Sequence, residues 1–205
     1  MRHGQPGQHS GKIFLGQTDI PLSDRGEEEA AAAGDKLIEL GARPKRLYTS
    51  DLLRAKETAG IIAKRFDGLP VIPDILFREM TMGTWDGELV EDIKAKFPEE
   101  YAKRGDDLCN YRTPGGENFY DLRGRVTREF YRIFAEDFSG AGNKTESGAD
   151  DDPGDLVIVA HQGVIISLFE ELHLEKPGFG FGLDCPTGSV TVLETPEWLW
   201  SKPKS

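Results

Sequence analysis

A chain of 205 residues with 38% apolar and 30% charged residues has the make-up of a soluble globular protein, sized for one α/β domain with an ordinary core. No run approaches the roughly 18 apolar residues of a membrane span, the start has no secretory apolar region, and two isolated cysteines (Cys109, Cys185) make no disulfide framework, so the cytoplasm is the expected compartment. A net charge of −11 speaks against nucleic acid as a partner, but not against a small phosphate ester, because a local arginine cluster acts within a screening length of roughly 8–10 Å.

In chain order, Glu27 to Leu40 predicts a helix with Ser23 or Asp24 as N-cap and Gly41 as its stop. Arg46 to Thr49 reads as a short strand, followed by a helix capped by Ser50 or Asp51 and running to about Arg65, with Arg54 in its first turn. Val71 to Leu76 is a second strand, and Glu88 to Phe97 and Glu117 to Phe138 are helices. The second of these carries Leu122, Val126, Phe130, Ile133 and Phe134 on one side. The stretch 139–155 has almost nothing apolar to bury and sets Lys144 against five acids, the pattern of a mobile acidic loop. Leu156 to Ala160 is the clearest buried strand, Gln162 to Leu172 a helix, and Ser189 to Glu194 a last strand.

Strands alternating with helices imply a mostly parallel sheet covered on both faces, a three-layer α/β/α sandwich. Ligands bind such sheets beyond the carboxyl ends of the strands. That rule gathers candidates: His161 ends the Leu156 strand, Arg54 opens the helix after the Arg46 strand, and Glu79 follows the Val71 strand. Arg2 and His3 join them if the residues before them also form a strand. A histidine beside arginines suits phosphoryl transfer, which needs an in-line nucleophile and positive donors around the equatorial oxygens. No metal-ligand spacing and no cofactor motif is present.

Six segments carry a resemblance: Arg2-His3-Gly4-Gln5, Gly16 to Gly26, Thr49 to Thr58, Arg78 to Gly87, Pro114 to Glu117, and Val157 to Gly163. In this order they resemble the histidine phosphatase (phosphoglycerate mutase-like) superfamily, and within it the small phosphatases similar to alpha-ribazole phosphatase and broad-specificity phosphatases. The resemblance implies a phosphoglycerate mutase-like fold and metal-independent hydrolysis of a small-molecule phosphate ester, with alpha-ribazole 5'-phosphate a candidate. It implies His3 as the nucleophile, Arg2, Arg54 and a protonated His161 as the phosphate pocket, and Glu79 as proton donor. The pKa of Glu79 is expected to be raised by burial beside Trp85 and Met80. His9, Gln17 and Gln162 are candidate substrate contacts, and the leaving group would be selected by loops at Phe14 to Gln17, Trp85 to Leu89 and Asn110 to Gly116.

Two departures stand out. Pro6 and His9 occupy positions where relatives commonly carry Thr or Ser and Asn. Relatives also place an apolar central strand just before Arg-His-Gly, whereas Met1 alone precedes it here. The first central strand is therefore expected to be missing, with a segment upstream of Met1 as the favoured explanation. A phosphoglycerate mutase is one alternative, disfavoured by the absence of an obvious basic cluster for a second, bisphosphorylated ligand. A catalytically weak phospho-ligand-binding protein is another. No oligomeric state follows from the sequence.

Overall fold

The computed structural model describes residues 1–7, 11–138, 154–196 and 199. His9 lies outside them, as does the expected acidic loop apart from Gly154 and Asp155. Asp155 belongs instead to a strand, and its carboxylate accepts from the Arg43 N–H at 2.7 Å.

The strands β1 (Pro44–Ser50), β2 (Val71–Asp74) and β3 (Asp155–Val159) form a parallel sheet in the order β2-β1-β3. Because strand side chains alternate between faces, Leu47, Val157 and Val159 enter one core and Tyr48, Ile158 and Ala160 the other. The first core is closed by α1 (Asp24–Glu39) and α2 (Leu53–Ala63). Between the sheet's halves of the chain lie the short helices α3 (Val90–Lys96) and α4 (Pro98–Asp106). The second core is closed by α5 (Phe119–Phe138) and α6 (Gln162–Leu172), to which α5 contributes all five residues expected on its apolar side. The architecture is the expected α/β one, with helices on both faces.

The helix boundaries follow local chemistry. Ser23 caps α1 as expected, its hydroxyl accepting from the Gly26 N–H at 3.1 Å, but the helix opens at Asp24 rather than Glu27. The α2 cap is a correction. Asp51 is committed to Arg78, with both contacts at 2.6 Å, so the Leu53 N–H is satisfied by Asp19 from a distant loop at 2.6 Å. The expected Glu88 to Phe97 helix forms over Val90–Lys96 and stops before Phe97, since the residue before a proline avoids helical backbone; Pro98 then opens α4, which sequence patterning did not announce. α5 opens at Phe119 because Asn118 and Asp121 cap each other reciprocally at 2.9 and 3.0 Å, leaving Glu117 for another partner.

Met1 to His3 lie beside β3. The Met1 amine donates to the Ile158 carbonyl at 2.7 Å, Ala160 N–H to Met1 O at 2.9 Å, and His3 N–H to Ala160 O at 3.0 Å. On the far side, Arg2 N–H donates to Ser189 O and Gly188 N–H to His3 O. The strand expected over Ser189 to Glu194 is not formed. Met1 to His3 give it partners only at Gly188 and Ser189, and among the described residues nothing pairs with the backbone of residues 190–195. A cavity of about 530 Å³, lined by Met1, Phe134, Ile158, Val164, Leu168 and Val192 among others, separates this stretch from β3 and the helices.

Candidate active site

The carboxyl ends of β1 and β3 bring His3, Arg54 and His161 together in the interior. They are 3%, 0% and 0% exposed, values that ionisable groups reach only when they are paired or a site is built around them. Gly4 lets the chain turn into place: a Cβ there would meet the Gly26 carbonyl oxygen at 2.1 Å, and one on Gly26 would meet the Gln5 oxygen at 2.1 Å. The two glycines interlock, and Thr58 of α2 fixes the turn by accepting the Gly4 N–H at 3.0 Å.

The His3 ring has one consistent tautomer. Its Nδ1 faces the Gly4 carbonyl at 2.7 Å and its Nε2 faces Arg54 Nε at 3.3 Å. A carbonyl only accepts and a guanidinium only donates, so Nδ1 carries the proton and Nε2 presents its lone pair. Burial first, and the charges of Arg54 and Arg2 next, push the His3 pKa down to about 3 against the raising effect of the Gly4 bond. The ring is neutral at working pH, as a nitrogen nucleophile must be.

Arg54 itself is tethered to the Thr18 and Gly16 carbonyls, each at 2.8 Å, and burial lowers its pKa to about 10, still leaving it charged at neutrality. Arg2 Nη1 donates to Cys185 O at 2.5 Å, while its Nε is buried without a partner. His161 stands 5.0 Å from His3 between ring centres, with both ring nitrogens buried and unpartnered. Without phosphate, the His161 ring does not carry the proton expected of it as a phosphate donor. Burial, then His3 and the surrounding arginines Arg54, Arg125 and Arg2, hold its pKa well below the ordinary value, so the ring is neutral.

Glu79 enters from the loop after β2. Half-buried, it is held by main-chain donors, Met80 N–H at 2.8 Å and Gly163 N–H at 3.2 Å. With Arg2, His3, Arg54, His161 and Gln162 it lines a cavity of about 390 Å³. Gln17 is placed elsewhere: its amide donates to the Glu79 carbonyl at 2.9 Å and it braces the acid rather than facing the cavity. Of the three selecting loops, only Phe14 to Gly16 contribute to the lining. Trp85 is buried in an aromatic cluster with Phe14, Met82 and Ile93, and α4 supplies Arg104 instead.

One residue that sequence reasoning missed is Arg125 of α5. It donates to the carbonyls of Leu76, Arg78 and Glu79 at 2.7, 2.8 and 3.0 Å, and pairs with Glu117 at 2.7 Å. Glu117 in turn accepts from the Thr81 N–H at 3.2 Å. A guanidinium on an exposed helical period gives no sign of this. Asp86 is similar, tying Gln17 N–H to Thr81 and Met82.

The chain is similar to a glucosyl-3-phosphoglycerate phosphatase of Mycolicibacterium vanbaalenii, 32% identical over 82% of this chain and 70% of that protein. It is 39% identical to a 2,3-bisphosphoglycerate-dependent phosphoglycerate mutase of Corynebacterium kroppenstedtii, over 96% and 85% of the two chains. Its fold matches the crystal structure of the alpha-ribazole phosphatase from Shigella flexneri with a TM-score of 0.76 at 23% identity, covering 92% of this chain and 85% of that one. The family model of the histidine phosphatase superfamily (branch 1) matches residues 1–202. The chain therefore belongs to the histidine phosphatase superfamily.

Proposed function

We propose that the protein hydrolyses a small organic phosphate monoester through a phosphohistidine on His3. The observation that carries this reading is the fixed tautomer of His3, whose unprotonated Nε2 is held against Arg54 in a cavity that also contains Arg2, His161 and Glu79. In the first step the Nε2 lone pair attacks phosphorus, the bond to the ester oxygen breaks, and the protonated Glu79 carboxyl gives its proton to the leaving alkoxide. General acid help of this kind is typically worth about 10²–10⁴-fold. In the second step water gives a proton to Glu79 and attacks phosphorus, the P–N bond breaks, and His3 returns to its starting form.

Arg2 and Arg54 supply fixed positive charge to the phosphoryl oxygens. His161, neutral within the protein's own field, is the proton donor or charge partner that an arriving phosphate dianion calls up. The Gln162 side chain, at the cavity wall, is the remaining polar contact for the ester. Names among the relatives supply candidate esters, glucosyl-3-phosphoglycerate and alpha-ribazole 5'-phosphate. The 39% identical mutase supports a second reading, in which the phosphoryl group returns to a substrate hydroxyl.

Incubation with a panel of metabolite phosphates tests both readings. Release of orthophosphate, with an acid-labile, base-stable phosphoenzyme trapped on the wild type and absent from His3→Ala, is the expected result. An isomerised ester without orthophosphate would establish the mutase, and turnover surviving in His3→Ala would defeat both.

A further inference from the structure

Glu170 of α6 is fully buried, yet it does not line the catalytic cavity. Its two oxygens go to different places. One accepts from Arg123 of α5 at 3.2 Å and the other from the Gly180 N–H at 2.9 Å. Gly180 sits in a short 3-10 turn, Phe179–Gly182, within the run Gly178-Phe-Gly-Phe-Gly182. The same Arg123 nitrogen donates to the Glu175 carbonyl at 3.2 Å, so one ion pair holds the segment after α6 at two points. Phe181, next to Gly180, reaches the wall of the catalytic cavity, where its ring packs edge-on against Phe119 with centres 4.8 Å apart.

A buried ion pair seldom adds net stability over apolar side chains of the same volume, because desolvation offsets the attraction. What this one supplies is placement, since the carboxylate fixes the turn at a single height over α6. The glycines allow that approach and leave no slack in it. A Cβ on Gly180 would meet Ile166 Cγ2 at 2.9 Å, and one on Gly178, at φ +90°, would meet Cys109 Sγ at 2.7 Å. We propose that Glu170 and Arg123 are positioning residues for the alcohol side of the site, holding Phe181 against Phe119 as one wall for the leaving group. The inference rests on the phosphatase reading and deepens it. The two rings carry no donor for phosphate, and among the described residues the pair makes no hydrogen bond to Arg2, His3, Arg54 or His161, so its effect falls on the alcohol.

The test uses two phosphonates that differ in the group on phosphorus, benzylphosphonate and methylphosphonate, whose P–C bonds resist hydrolysis. Calorimetric affinities are compared for the full chain, for Arg123→Met/Glu170→Leu, for Phe181→Ala and for all of these changes combined. Removing both charges together leaves none unpaired, so the pair variant should match or exceed the wild type in urea. The wild type is expected to prefer benzylphosphonate. The pair variant should lose about 3–10-fold for it, the scale of an aromatic contact, and nothing for methylphosphonate. The combined variant should bind no more weakly than Phe181→Ala, because the pair acts through that ring. Glu170→Gln, which keeps an acceptor for Gly180 but weakens the hold on Arg123, should show a smaller loss in the same direction, and it decides the matter if the pair variant does not fold. No wild-type preference, loss for both ligands, loss for neither, or additive losses would overturn the assignment. Hydrolysis of phenyl phosphate by the same variants separates this inference from its foundation. A binding preference that depends on the pair, without turnover in any variant, defeats the hydrolase reading alone; turnover whose KM ignores the pair defeats the positioning alone.

Discussion

The two flanks of β3 are built on different principles. At its carboxyl end three side chains of the site are tied down: the His3 ring by Gly4 and Arg54, Arg54 by Thr18 and Gly16, Glu79 by Met80 and Gly163. Along its outer edge, residues 190–195 have no hydrogen-bond ladder among the described residues and lie beside an apolar cavity of about 530 Å³. The difference shows that the precision of the site comes from short tethers between loops and helix starts, and that the completeness of the sheet beside it is a separate matter.

Changes at the tethered flank should act on the reaction, and changes at the loose flank on stability alone. The largest effect is expected from His3→Ala, with a fall in kcat on the order of 10⁴–10⁶-fold in a steady-state assay, the scale on which removal of a catalytic nucleophile acts. Glu79→Gln should cost about 10²–10⁴-fold with an alkyl phosphate and much less with p-nitrophenyl phosphate, whose leaving group needs no proton. Equal losses on the two esters would count against its role.

Arg125→Met should cut activity on the alkyl ester and lower stability in urea by about 3 kcal/mol, because Glu117 is left without its partner. An unchanged kcat would show that the brace does not govern the acid. Acidification tests the same flank by another route. The unfolded chain takes up a proton at His3 near pH 6.5, which the native ring refuses down to about 3, so stability is full above that window and falls as pH drops through it. The expected slope is about 1.4 kcal/mol per pH unit for each such histidine. His161 acts in the same sense, and His3→Asn should flatten the dependence.

The smallest effect belongs to the loose flank. Val192 is 67% exposed, and Val192→Ser should change stability by less than about 0.5 kcal/mol and leave kcat/KM alone. A large effect on turnover there would erase the contrast between the flanks.

The parallel sheet and its covering helices were legible because buried strands and amphipathic helices write themselves as periods of two and 3.6 residues. The convergence of Arg54, Glu79 and His161 was legible through the rule that ligands sit beyond strand ends. Partners far apart in sequence were not. Nothing at Asp19 announces that it caps a helix beginning at Leu53, and nothing at Arg104 announces a cavity wall, since α4 lacks the apolar stripe that would have revealed it. The lowered pKa of His161 in the phosphate-free protein was not legible for a related reason: it follows from burial and from neighbours brought in by the fold, which a lone histidine after a strand does not disclose.

The brace made by Arg125 also bears on the order in which the molecule assembles. Its bonds to the carbonyls of Leu76, Arg78 and Glu79 span 46 to 49 residues, so the acid's loop cannot take its final shape until α5 has docked. Among the described residues, Arg2, His3, Arg54 and His161 make no hydrogen bond to α5. A late folding species with the sheet and α2 in place but α5 undocked would already capture phosphate and would lack the means to protonate a leaving group. Competence to bind would thus precede competence to react during refolding, a lag that stopped-flow mixing with orthophosphate and with an ester would resolve into two phases.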